Sequence, residues 1–88
     1  NNKIPALVDP DGPGGARYAL FESGAILEYL ADKTRRFLPR RGAGRYDVLQ
    51  WLRLQVGGVG PMFGECGHFL GYAPRKIRYA IDRYRNET

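Results

Sequence analysis

The chain has 88 residues, 43% apolar and 26% charged, with 14 basic and 9 acidic residues giving a net charge of +5. That length supports one modest hydrophobic core, and no apolar run approaches the roughly 18 to 20 residues of a membrane-spanning helix. The basic residues are spread through the chain with acids between them and form no nucleic-acid motif, so neither nucleic acid nor membrane is the expected partner.

The chain opens on Asn1 with a strand-like run already under way and ends in "YAIDRYRNET", inside a helical pattern. It therefore reads as an internal piece of a longer protein. With no leader of the signal-peptide kind, a cytoplasmic location is expected. The single Cys66 cannot form an internal disulfide, in keeping with a reducing compartment.

Lys3 to Asp9 is rich in Ile, Leu and Val, and "DPDGPGG" after it concentrates turn formers. "RYALFE" resumes the apolar character, which predicts two antiparallel strands joined by a loop of about seven residues. Pro5 removes a ladder donor and belongs at an edge, a strand start or a special turn. From Ser23 the pattern turns helical: Ile26, Leu27 and Leu30 follow the three-to-four spacing, Ser23 is the expected N-cap, and the helix should end near Lys33-Thr34.

"RRFLPRRGAG" follows as a basic connector without periodicity. It divides the chain into residues 1–36, a linker over 37–44, and residues 45–88. A second helix is predicted from about Arg45, with Val48, Leu52 and Val56 in register and Leu49 and Trp51 as core bulk. "VGGVGPMFGECGHFLGY" carries six glycines and a proline, and intrinsic propensity reads it as loop. Pro74 suits the first position of a third helix, in which Ile77, Ile81 and Tyr84 share a face. Arg75, Lys76 and Arg78 would then stand at the wrong end of its dipole. Sheet material first and helices after make the fold class α+β.

Two spots in the first part suit a small ligand. If the Ile4-Pro5 bond is cis, the backbone groups of Ile4 are free to pair with an extended peptide-like ligand; an ordinary trans proline at a strand start is the plainer alternative. At Glu22-Ser23 a helix terminus offers N–H groups and a hydroxyl to a carboxylate, and Glu22 could accept from an ammonium. Together they would take the α-amino and α-carboxyl groups of an amino acid. A cap beside a solvated acid is the competing reading. The glycine run lacks the "GK[ST]" ending of a phosphate loop, and Cys66 and His68 point to different faces of a helix, which makes neither a catalytic pair nor a metal site.

"NKIPALVD", a turn, then "LFESGAILEYLA" resembles the second half of the glutathione-binding, thioredoxin-like domain of glutathione S-transferases. "LQWLRLQVGGVGPMFGECGHF" and "YAPRKIRYAIDRYRNET" are similar to the start of the all-helical domain in the bacterial Nu-type branch, whose members act as glutathione-dependent disulfide-bond oxidoreductases. The resemblance implies the C-terminal half of a thioredoxin-like domain, a β-hairpin plus helix, followed by the first helices of an all-α domain. It implies that Pro5 is a cis proline, that Ile4 pairs by its backbone with the cysteinyl unit of glutathione, and that Glu22 and Ser23 hold the γ-glutamyl end. It also implies that the glycine-rich stretch is helical, and that glutathione, as co-substrate and without a metal, meets a disulfide or electrophilic partner in a homodimeric full-length enzyme. Met62, Phe63, His68 and Phe69 are the candidates for the second-substrate pocket. Gly67 stands where relatives commonly carry a second histidine. No catalytic residue falls in this chain: the group that activates the sulfur would precede Asn1. The alternative is a non-catalytic glutathione-transferase-like interaction module or an inactive truncated product.

Overall fold

The structure is a computed structural model, and it describes residues 2–88. The chain divides into two compact units at Gln50/Trp51, and each is described by itself.

In the first unit, β1 (Ala6–Asp9) and β2 (Tyr18–Phe21) pair antiparallel, with Ala6 opposite Phe21 and Asp9 opposite Tyr18. The predicted hairpin is present, with shorter strands than the apolar runs suggest. Residues 10–17 connect them through a short 3-10 turn at Pro13–Gly15. Gly12 donates its N–H to the Ala16 carbonyl at 2.8 Å and lies so close to the returning chain that a Cβ there would stand 2.5 Å from that of Tyr18. Only glycine permits this approach.

The pleat turns Leu7, Asp9, Tyr18 and Leu20 to one face of the hairpin and Ala6, Val8, Ala19 and Phe21 to the other. Helix α1 (Ser23–Thr34) packs on the first face, as expected from the three-to-four spacing. Tyr29 reaches back to Asp9, and its ring lies 5.9 Å from that of Tyr18. The second face is exposed. Among the described residues, the buried apolar side chains are Ile26 and Leu38.

Leu38 lies inside the stretch read as a plain connector. Its burial, and the reach of Arg45 to Asp32, Glu28 and the Pro39 carbonyl, bind the connector and the first turn of α2 (Ala43–Leu54) to α1. The division between compact units falls inside α2, at Gln50/Trp51.

The glycine-rich stretch is helical, as the family resemblance implies and against the loop reading from propensity. After α2 come a π-helical turn (Gln55–Val59), α3 (Gly60–Gly67) and a second π-helical turn (His68–Tyr72). The first π turn solves the problem of Pro61. In an α-helix its ring would meet the carbonyl four residues back, but here the turn is wide and the Gly60 N–H donates to Gln55, five residues back. Tertiary packing offsets the propensity cost: α3 contacts α4 (Arg78–Glu87), and the Phe69 and Tyr84 rings stack at 5.5 Å.

Two sequence expectations need correction here. Trp51 is 66% exposed and is not core bulk in this chain, whereas Leu49, Leu52 and Val56 are half-buried. Pro74 does not begin α4, because Ile77 is extended at φ −113° and accepts the Ile81 N–H as the helix's cap residue. Lys76 therefore lies outside the first turn of α4, and its ammonium donates to the Leu70 carbonyl near the end of the preceding helical run, where a cation is favourable.

Candidate functional site

The register of the hairpin builds the site. The ladder ends at the Ala6 and Phe21 pair, so residues 4 and 5, just before β1, and residues 22 and 23, just after β2, leave the sheet at the same end. The two spots singled out separately in the sequence therefore meet at one end of the sheet. They line a cleft of about 540 Å³ together with Lys3 and Phe21. Lys3 and Phe21 were not among the expected site residues; their signal was adjacency, each standing one position before a residue that was.

The Ile4-Pro5 bond is cis, and the Ile4 side chain is 94% exposed beside the cleft. Glu22 is the cap residue of α1, at φ 74° and ψ 115°, and forms no side-chain capping bond. A non-glycine residue in that region costs about 1 to 3 kcal/mol and occurs chiefly where function demands the geometry. Ser23 is thus the first helical residue rather than the N-cap expected of it. Nothing among the described residues hydrogen-bonds its hydroxyl. The helix terminus presents N–H groups that have no intrahelical acceptor, together with the positive end of the dipole. A carboxylate can be taken there and an ammonium at Glu22, in one cleft that Ile4 also lines.

The four residues considered for a second pocket lie in the second unit and differ in exposure. Met62 and Phe69 are half-buried, and Phe69 stacks on Tyr84; Phe63 is 59% exposed and His68 is exposed with its ring edge-on to Phe69. Cys66 is half-buried, on a different face from His68 as the helical spacing requires. Among the described residues no three His, Cys, Asp or Glu side chains converge as a metal site would need.

A structure from Pseudomonas fluorescens pf-5, described as a glutathione transferase family member with two glutathione bound, superposes on 98% of this chain with a TM-score of 0.92 and 53% identity. Over its whole length this chain is closely similar to members of the glutathione transferase family. The hairpin and α1 match the latter part of the family's thioredoxin-like half, and the helices after them match the start of its helical domain. A glutathione transferase from Pseudomonas putida, with one glutathione disulfide bound per subunit, aligns with a TM-score of 0.91 and 53% identity over 98% of the chain. The disulfide-bond oxidoreductase YfcG of Escherichia coli is 56% identical over 89 residues, which cover 100% of this chain and 41% of YfcG. The two structures are covered to 39% and 38% of their chains, so this chain spans about two fifths of the relatives it matches. No protein-family model matches it.

Proposed function

We propose that this chain supplies the glutathione-holding half of the active site of a glutathione-dependent transferase or disulfide-bond reductase. The observation that carries the proposal is the convergence of Ile4, Pro5, Glu22 and Ser23 on one cleft, at a helix terminus whose cap residue holds a costly backbone conformation. In this reading the γ-glutamyl carboxylate accepts from the Ser23 N–H and hydroxyl, and its ammonium donates to Glu22. The cysteinyl unit lies along the backbone of Ile4.

These residues bind and orient; they do not activate the sulfur. The glutathione thiolate attacks one sulfur of a disulfide, the old S–S bond breaks, and the departing thiolate takes up a proton. A second glutathione thiolate then resolves the mixed disulfide, releasing the reduced partner and glutathione disulfide. The Pseudomonas relatives, described with two glutathione molecules or one glutathione disulfide bound, support this order of events. Met62, Phe63, His68 and Phe69 remain the proposed wall for the second substrate, in a cytoplasmic, homodimeric full-length enzyme without a metal.

Ser23→Ala tests the half-site. Removing a hydroxyl that bonds a carboxylate should weaken glutathione binding by about 1 to 2 kcal/mol in calorimetry, with unchanged circular dichroism. An unchanged dissociation constant would reduce Ser23 to an ordinary first-turn residue and remove the support for this cleft.

A further inference from the structure

One group of basic residues stands without an acid among them. Arg35, Arg36, Arg40 and Arg41 fall within seven residues of the connector between α1 and α2. All four are exposed, and among the described residues none of their guanidinium groups forms an ion pair. Arg40 comes close enough to Asp32 to lower that carboxyl's pKa, but Asp32 is already hydrogen-bonded by Arg45.

Between the two arginine pairs stands Phe37, 86% exposed at φ 71°, with the Arg36 guanidinium 5.6 Å over its ring. The segment is fixed from below. Leu38 is buried, the Arg36 N–H donates to the Ala31 carbonyl at 3.2 Å, and Arg45 holds the Pro39 carbonyl at 3.2 Å. The fold thus holds out four exposed guanidinium groups, without ion pairs among the described residues, and a largely exposed aromatic ring on an anchored turn.

We propose that residues 35–41 form a peripheral contact site for an anionic lipid surface, contrary to the expectation that a membrane has no part in this protein's interactions. Guanidinium groups pair with phosphate oxygens bidentately, and headgroup phosphates lie directly above an apolar layer that removes an aromatic ring from water. An acidic peptide would satisfy the arginines and leave the exposure of Phe37 without a purpose. Nucleic acid is met by basic stripes that follow a backbone, and this patch is one compact turn. The contact lies on the surface, since no helix among the described residues is long and apolar enough to cross a membrane.

Co-sedimentation with phosphatidylcholine vesicles, with and without phosphatidylglycerol, tests the proposal. Binding should require phosphatidylglycerol and weaken as salt rises. Replacing Arg35, Arg36, Arg40 and Arg41 by Gln should weaken it by about tenfold or more, and Phe37→Ser by a few-fold at constant charge. Replacing Arg17, Arg75, Arg83 and Arg85 by Gln removes the same charge elsewhere and should change binding by no more than about twofold. An equal loss from that control set, or vesicle binding indifferent to phosphatidylglycerol, would overturn the proposal. So would heparin and single-stranded oligonucleotide binding as tight as that of the vesicles with Phe37→Ser without effect, which makes the patch a general polyanion site. Circular dichroism of each variant separates loss of binding from loss of fold.

Discussion

Asp9 accepts three hydrogen bonds at the end of β1: from the Tyr29 hydroxyl at 2.6 Å, from the Lys33 ammonium, and from the Asp11 N–H at 2.9 Å. Lys33 first, then Tyr29 and the Asp11 N–H, lower its pKa from 3.8 to about 2, while partial desolvation opposes them. The same contact raises Lys33 above 10.5 and Tyr29 above 10.0. A depressed carboxyl pKa contributes stability that is complete above its unfolded value and is lost as pH falls through the folded one. Raised values on Lys33 and Tyr29 contribute stability that is complete below their unfolded values and lost as pH rises beyond them. Thermal unfolding should therefore show a plateau from about pH 5 to 9, with stability falling between about pH 4 and 2 and again above about pH 10. Asp9→Asn should lower the plateau and flatten the acid limb. An acid limb unchanged in the variant would mean that another carboxyl sets it. None of this cluster was legible beforehand, because Asp9 and Lys33 are brought together only when α1 lies across the hairpin.

At the scale of elements, the long helical run shows how propensity yields to context. A Cβ built on Gly57, Gly64 or Gly67 meets nothing within 4 Å, whereas on Gly60 it would lie 3.1 Å from the Gln55 carbonyl oxygen. Within this chain, then, no backbone approaches the first three closely. Gly64→Ala and Gly67→Ala should each raise stability by about 1 kcal/mol, the helix-propensity difference, and Gly60→Ala should not. Chemical denaturation with circular dichroism at the helix band measures this, and destabilisation by Gly64→Ala would mean that a neighbour in the assembled protein needs the space. Hairpin and α1 were readable because short apolar runs, turn formers and three-to-four spacing are local signals. The helical state of Gln55–Tyr72 was readable only through family resemblance. Its local signal is loop, and what overrides it is contact between α3 and α4 over a gap in sequence.

For the molecule as a whole, the short list of buried apolar residues matters most. Ile26 and Leu38 are the described hydrophobic side chains that are buried, while Phe21, Phe37, Trp51, Phe63 and Tyr72 are more than half exposed. A core this small makes each member costly to lose. Leu38→Ala should destabilise the first unit by about 2 kcal/mol or more and free the connector, read as a lower denaturation midpoint with increased proteolysis at Arg40 and Arg41. An unchanged midpoint would show that Leu38 merely lies under the connector without anchoring it.

The amino-acid sequence by itself determined the α+β order, the hairpin, the span of α1 and the chemistry of an acid and a hydroxyl at a strand-to-helix junction, because each depends on neighbours within about one turn or one strand pair. It also named Ile4-Pro5 as a second spot, but local spacing could not join the two. Tertiary structure decided that they meet in one cleft, since the antiparallel pairing of Ala6 with Phe21 brings the residues before β1 and after β2 to one end of the sheet. It also placed Glu22 rather than Ser23 at the cap, buried Leu38 beneath the connector, and left four arginines and Phe37 facing outward. Burial and pairing between residues distant in sequence are sums over the folded chain, and no short window of sequence contains them.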